Sequence, residues 1–119
     1  MPYYSGFVLA VPTANKQVYA DYAGKGWPYF RKLGATRMVE TWGDNVPDGK
    51  LTDMKKAVQA RPDETVVFSW IEWPDKATAD VAEKAMQADP AMAQMSKDMP
   101  FDGKRMIFGG FAPIYDSGA

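Results

Sequence analysis

A chain of 119 residues, 46% hydrophobic and 24% charged, has the material for one globular domain. Its 14 basic and 15 acidic residues are interspersed, giving a net charge of -1, so no basic stripe offers a nucleic-acid surface. With neither Cys nor His, disulfides, thiolate nucleophiles, His-dependent catalysis, His-held haem and Cys- or His-ligated zinc are all excluded. No apolar run is long enough to cross a membrane, and the start lacks the basic and apolar regions of a signal peptide, so the expected location is the cytoplasm.

Tyr3 to Val11 alternates as a first strand, with Tyr3, Ser5, Phe7, Leu9 and Val11 on one face. The other face carries Tyr4, Gly6, Val8 and Ala10. A helix is predicted over Lys16 to Leu33, capped by Thr13 or Asn15, with Val18, Tyr22, Gly26, Phe30 and Leu33 inward. Pro28 lacks the N–H that bonds one turn back, which predicts a kink or two shorter helices, and Gly34 is placed to close the C-terminus. A second strand is predicted over Ala35 to Trp42, then a loop, then a short helix from Leu51 carrying Met54 and Val58.

The third strand, Val66 to Trp73, is rich in β-branched and aromatic residues and is apolar on both faces apart from Ser69 and Glu72. Asp75 caps a second main helix whose inward face is Ala79, Ala82, Met86 and Ala85. Asp89-Pro90 reads as a cap and first-position proline of a further short helix to about Lys97. A last strand is predicted from Lys104 to Ile114, with Met106, Phe108, Gly110 and Ala112 opposite Arg105, Ile107, Gly109 and Phe111. The domain is thus expected to span residues 1–114, with a loose tail over 115–119.

The order βαββαβ predicts an α+β, ferredoxin-like fold: a four-stranded antiparallel sheet with both main helices on one face. The opposite face would then be bare although several strands are apolar on both sides. A homodimer joining two sheets face to face, as a dimeric α/β barrel, resolves that conflict.

Several stretches also resemble a known family. They are Gly6-Phe7-Val8, Val66 to Pro74, Asp89-Pro90, and the run from Met99-Pro100-Phe101-Asp102-Gly103 to Gly109-Gly110-Phe111. Together they look like the YbaA-like bacterial family of unknown function, within the dimeric α/β-barrel superfamily. The resemblance covers nearly the whole chain. It implies the dimeric ferredoxin-like fold and no particular activity, cofactor or site residue.

Chemistry is sought among polar residues on the strands. Glu40 and Glu72 lie on neighbouring strands, and Arg37 and Arg105 are also predicted on strands. A charge facing a dry interior needs a partner or water. One reading is a ligand cavity with Glu72 or Glu40 as acid/base and an Arg as anion clamp. The blander reading is a set of structural ion pairs or a barrel mouth open to water. Trp42, Trp70, Trp73, Tyr4 and Phe108 either line an aromatic pocket or fill the core and interface. Met86, Met92, Met95, Met99 and Met106 crowd one third of the chain, as core filler or as an adaptable binding surface. Asp48-Gly49-Lys50 and Asp102-Gly103-Lys104 are explained as turns.

Three functions follow. The first is a homodimeric small-molecule-binding module with a cavity at the sheet or barrel, taking Arg37, Trp42, Trp70, Arg105 and Phe108 as ligand-binding candidates. The second is a cofactor-independent oxygenase- or isomerase-like enzyme using Glu72 or Glu40. The third is a structural or interaction protein with a filled barrel. No cofactor, metal, nucleic acid or membrane is expected to take part; the expected partners are a second copy of the chain and a small ligand.

Overall fold

In the computed structural model, which describes residues 1–118, the strands are β1 (Tyr3–Pro12), β2 (Arg37–Glu40), β3 (Glu64–Trp73) and β4 (Ile107–Phe111). The helices are α1 (Lys16–Lys32), α2 (Met54–Ala57), α3 (Lys76–Ala88) and α4 (Pro90–Lys97). The four strands form one antiparallel sheet in the order β2-β3-β1-β4. That order is the ferredoxin-like topology expected from the sequence.

The long β1–β3 pairing, from Tyr3↔Trp73 to Pro12↔Glu64, fixes which residues share a face. The helix-covered face carries Leu9, Val11, Val67, Ser69, Ile71 and Trp73, all nearly fully buried. Trp73 and Ile71 pack with Ala79 and Ala82 of α3 and with Trp27, Phe30 and Leu33 at the end of α1. The indole N–H of Trp73 donates to Ser5 Oγ at 3.0 Å, so the one polar atom of the largest core side chain is satisfied. Leu9, Val11 and Val67 pack beneath Tyr19 and Trp42.

The opposite face is partly covered. Val58, just after α2, is buried against Ala10 and Val66, with Ala60 and Val8 beside them, so the β2–β3 connection folds over one end of it. The other end stays open, with Phe68, Ile107 and Phe111 exposed.

Caps explain the helix boundaries. Asp75 accepts from the Thr78 N–H at 2.7 Å and Asp89 from the Ala91 N–H at 2.9 Å, both as expected. The start of α1 differs: neither Asn15 nor Thr13 caps it with a side chain. Asn15 instead donates to the Pro100 carbonyl at 3.2 Å, and Thr13 hydrogen-bonds Thr65 at 2.8 Å, because a 3-10 turn over Thr13–Asn15 leads into the helix. Helix α1 also runs unbroken through Pro28. Gly24, whose carbonyl loses its partner there, is exposed, so water can take the place of the missing N–H. Val18 is exposed, contrary to expectation, and Tyr19 takes the inward position. The series Tyr19, Tyr22, Gly26, Phe30, Leu33 keeps closer to 3.6 residues per turn than steps of four do.

Leu51 is fully exposed and α2 begins only at Met54, after Asp53 accepts from the Lys56 N–H at 2.7 Å. β2 is shorter than predicted, so Trp42 lies beyond its end. The predicted fourth strand is shortened at both ends: Gly103–Arg105 is a 3-10 turn, and no helix or strand follows Phe111 among the described residues. The expectation for Ala119 lies outside the described residues.

Gly34 follows α1 with φ +110, a left-handed conformation that side chains resist, and an added Cβ would stand 2.6 Å from Thr78 Cγ2 of α3. Gly34→Ala is expected to destabilise the domain by about 1–3 kcal/mol, read as a lower urea midpoint at unchanged slope.

Candidate functional site

Between the helix-covered sheet face and the helices lies a cavity of about 550 Å³. Its floor is sheet: Tyr3, Ser5, Phe7, Met38, Glu40, Ser69, Ile71, Trp73 and Phe108. Tyr19, Tyr22, Gly26 and Phe30 of α1 form one wall, and Ala79, Glu83 and Met86 of α3 the other. The segment 92–106 closes it with Met92, Met95, Met99, Phe101 and Met106. Pockets of about 300–1,000 Å³ hold most small organic ligands.

Glu40 supplies a half-buried charge. It stands opposite Ser69 in the β2–β3 register, so both point to the helix side. The Tyr19 hydroxyl donates to Glu40 Oε1 at 2.6 Å. Burial pushes the Glu40 carboxyl above its ordinary range, while the hydroxyls of Tyr19 and Ser69 pull it back. The Tyr19 phenol is pushed up as well, by burial first and then by the Glu40 charge. The arrangement is a half-buried carboxylate with a short phenol hydrogen bond in an apolar enclosure, able to anchor a ligand or hold a proton.

The closing segment rests on few polar contacts. Tyr29 donates to Asp89 at 2.8 Å and Asn15 to the Pro100 carbonyl at 3.2 Å. Phe101 meets Tyr19 and Tyr22 edge to face, with ring centroids 5.7 and 6.3 Å away. The Tyr22 hydroxyl donates to the Met95 carbonyl at 3.4 Å, and apart from Ser96 the rest of the segment's cavity lining is methionine, whose flexible thioethers adapt to varied shapes.

The residues singled out in the sequence part company. Phe108 lines the cavity with Glu40, although its ring is largely exposed. Trp42 packs beside it on Leu9, Val11, Tyr19 and Val67, with Lys16 Nζ 5.9 Å from its ring centre. Glu72 is on the other face of the sheet, so the two strand carboxylates never meet. It accepts from Thr36 Oγ1 at 2.8 Å and from the Tyr4 hydroxyl at 3.4 Å. Arg37 stands opposite Glu72 in register, yet its guanidinium lies over the Trp70 ring at 5.3 Å and forms no ion pair among the described residues. Trp70 also meets Tyr4 edge to face.

Arg105 is not on a strand. In its 3-10 turn it grips Glu64 with two bonds of 2.7 Å, Asp102 Oδ2 at 2.9 Å and the Gln59 carbonyl at 2.9 Å. Asp102 redirects the chain by accepting from the Lys104 N–H at 3.0 Å, which ends the alternation that predicted a strand there. Tyr19 is the site residue that the sequence reading missed; its place in the 3.6-residue series was the available signal.

This architecture is that of a ferredoxin-like α+β domain with a cavity under its helices. The family model described as "Protein of unknown function (DUF1428)" matches residues 2–103, and the chain belongs to that family. It is 52% identical over 116 residues to the proteins called "Uncharacterized protein YbaA" in Escherichia coli K12 and in Shigella flexneri, covering 98% of this chain and 99% of theirs. These relatives bear out the YbaA-like resemblance seen in the sequence. A crystal structure of a dimeric ferredoxin-like protein from an uncultured marine organism is 15% identical, with a TM-score of 0.48 over 93% of this chain and 92% of that one.

Proposed function

We propose that the chain is a small-molecule-binding module that works as a homodimer. Its cavity holds a mostly apolar ligand fastened at Glu40 and Tyr19, with Phe108 at the mouth. The observation that carries this reading is the cavity of about 550 Å³ around one half-buried carboxylate. A protein with a purely structural role gains nothing from leaving such a space beside a charge. Arg37, Trp70 and Glu72 belong, on this reading, to the sheet-to-sheet interface of the dimer, and Arg105 to the framework.

Nile red, a neutral apolar dye, is expected to brighten on binding the wild type. Ala23→Phe, which places a ring inside the cavity, is expected to abolish that signal with little change in melting temperature. A signal unaffected by the filled cavity puts the dye elsewhere and rejects the site.

A second reading is supported by the upward shift of Glu40: a cofactor-independent enzyme in which this carboxyl moves a proton. Turnover of a bound ligand that Glu40→Gln lowers by about 10²–10⁴-fold would favour it over simple binding.

A further inference from the structure

We propose that the ligand is an organic cation: an amine whose ammonium group sits on Glu40 and whose aromatic or branched body fills the methionine-lined space. The inference rests on the reading of this cavity as a ligand site and adds the class of ligand. The charged residues lining the cavity are Glu40, Asp80 and Glu83, and no Lys or Arg joins them among the described residues. Asp80 is already paired, with Lys76 at 2.6 Å on the outside of α3. Glu40 has no cationic partner among the described ion pairs; its polar neighbours are the hydroxyls of Tyr19, at 2.6 Å, and Ser69.

A half-buried carboxylate without a counter-ion is costly, and hydrogen bonds from hydroxyls offset only part of that. A ligand ammonium supplies the missing charge where Tyr19 leaves the carboxylate's other lone pairs. The surroundings suit it. The aromatic corner of Tyr19, Tyr22 and Phe101 lies in the same cavity, and ring faces attract ammonium groups. Methionine sulfurs are weak acceptors and polarizable neighbours for an apolar body. An anionic ligand would meet like charge at Glu40 and no compensating cation. A neutral ligand would leave that charge as it was.

The test is calorimetric titration of the full chain with three molecules sharing an indole body: tryptamine, tryptophol and indolepropionate. Tryptamine is expected to bind about 10–100-fold more tightly than tryptophol, with no measurable binding of indolepropionate. Glu40→Gln keeps an acceptor for Tyr19 and is expected to lower tryptamine affinity to that of tryptophol. Tryptophol binding as tightly as tryptamine, or measurable binding of the acid, overturns the inference while leaving the cavity a ligand site. A preference for the amine that survives Glu40→Gln overturns it too, because the selectivity then comes from elsewhere. If Glu40→Gln fails to fold, the wild-type series decides alone. If none of the three binds and Nile red gives no cavity-dependent signal, the cavity is not a ligand site and both readings fall together.

Discussion

Arg105→Ala is expected to destabilise the fold by about 3–5 kcal/mol, because it leaves the Glu64 carboxylate buried without its partner. The Glu64 side chain is 4% exposed and that of Arg105 is 12% exposed. The guanidinium meets both carboxylate oxygens at 2.7 Å, the two-pronged geometry that Lys cannot reproduce. With its remaining bonds, to Asp102 and the Gln59 carbonyl, it ties the turn before β4 to the distant stretch 59–64 that leads from α2 into β3. Chemical denaturation of the wild type, Arg105→Ala and the double variant Glu64→Leu/Arg105→Met measures the effect. The double variant is expected to lose much less than the single one, since no buried charge is stranded.

The same pair sets an acid limb. The Arg105 hydrogen bonds hold the Glu64 carboxyl at about 2, below its ordinary 4.5. A carboxyl with a depressed folded pKa contributes stability that is complete above the unfolded value and is lost as pH falls through the folded one. Wild-type stability should therefore fall between about pH 4.5 and about pH 2, and Arg105→Ala should flatten that part of the curve. Glu40 acts in the opposite sense. Burial raises its folded pKa, so its charged form costs stability above the ordinary carboxylate range, and that cost fades as pH drops and the group takes up a proton. Glu40→Gln is expected to raise the melting temperature at neutral pH and to lose that advantage in acid.

The outline of the fold was legible because local rules agreed with it. Alternation marked β1 and β3, and Asp75 and Asp89-Pro90 announced their helices through side-chain caps. The site was less legible, for three separate reasons. Whether Glu40 shares a face with Glu72 depends on the long-range β2–β3 register, and one residue of slip would put both on the same face. The alternation of 104–114 hid a 3-10 turn set by the Asp102 side chain, so Arg105 looked like a strand residue facing a cavity. The methionines of α4 were visible as a cluster, but their position over the cavity follows from the tie between Tyr29 and Asp89 and from Phe101 packing on Tyr19. Neither contact has a sequence signature.

On the proposed homodimer, Phe68→Asp is expected to leave a monomer of 13.2 kDa. Phe68 projects from the middle of the sheet face opposite the helices and is 43% exposed, with Ile107 at 46% and Phe111 at 59% on the same face. Val8, Val39, Trp70 and Tyr4 complete that surface at half burial. The β2–β3 connection covers only the end near Ala10 and Val66. An apolar patch made of four adjacent strands is unusual on a monomer, and a second copy presents the same flat face in return. The aspartate would be buried at the centre of the contact against its own symmetry mate, where burial and like charge both oppose association. Within one protomer it replaces a side chain that makes little of the core, so the monomer should remain folded. Sedimentation equilibrium at micromolar concentration reads the mass directly, and circular dichroism checks the fold. A wild type that sediments as a folded monomer removes the dimer. A Phe68→Asp dimer places the contact on another surface.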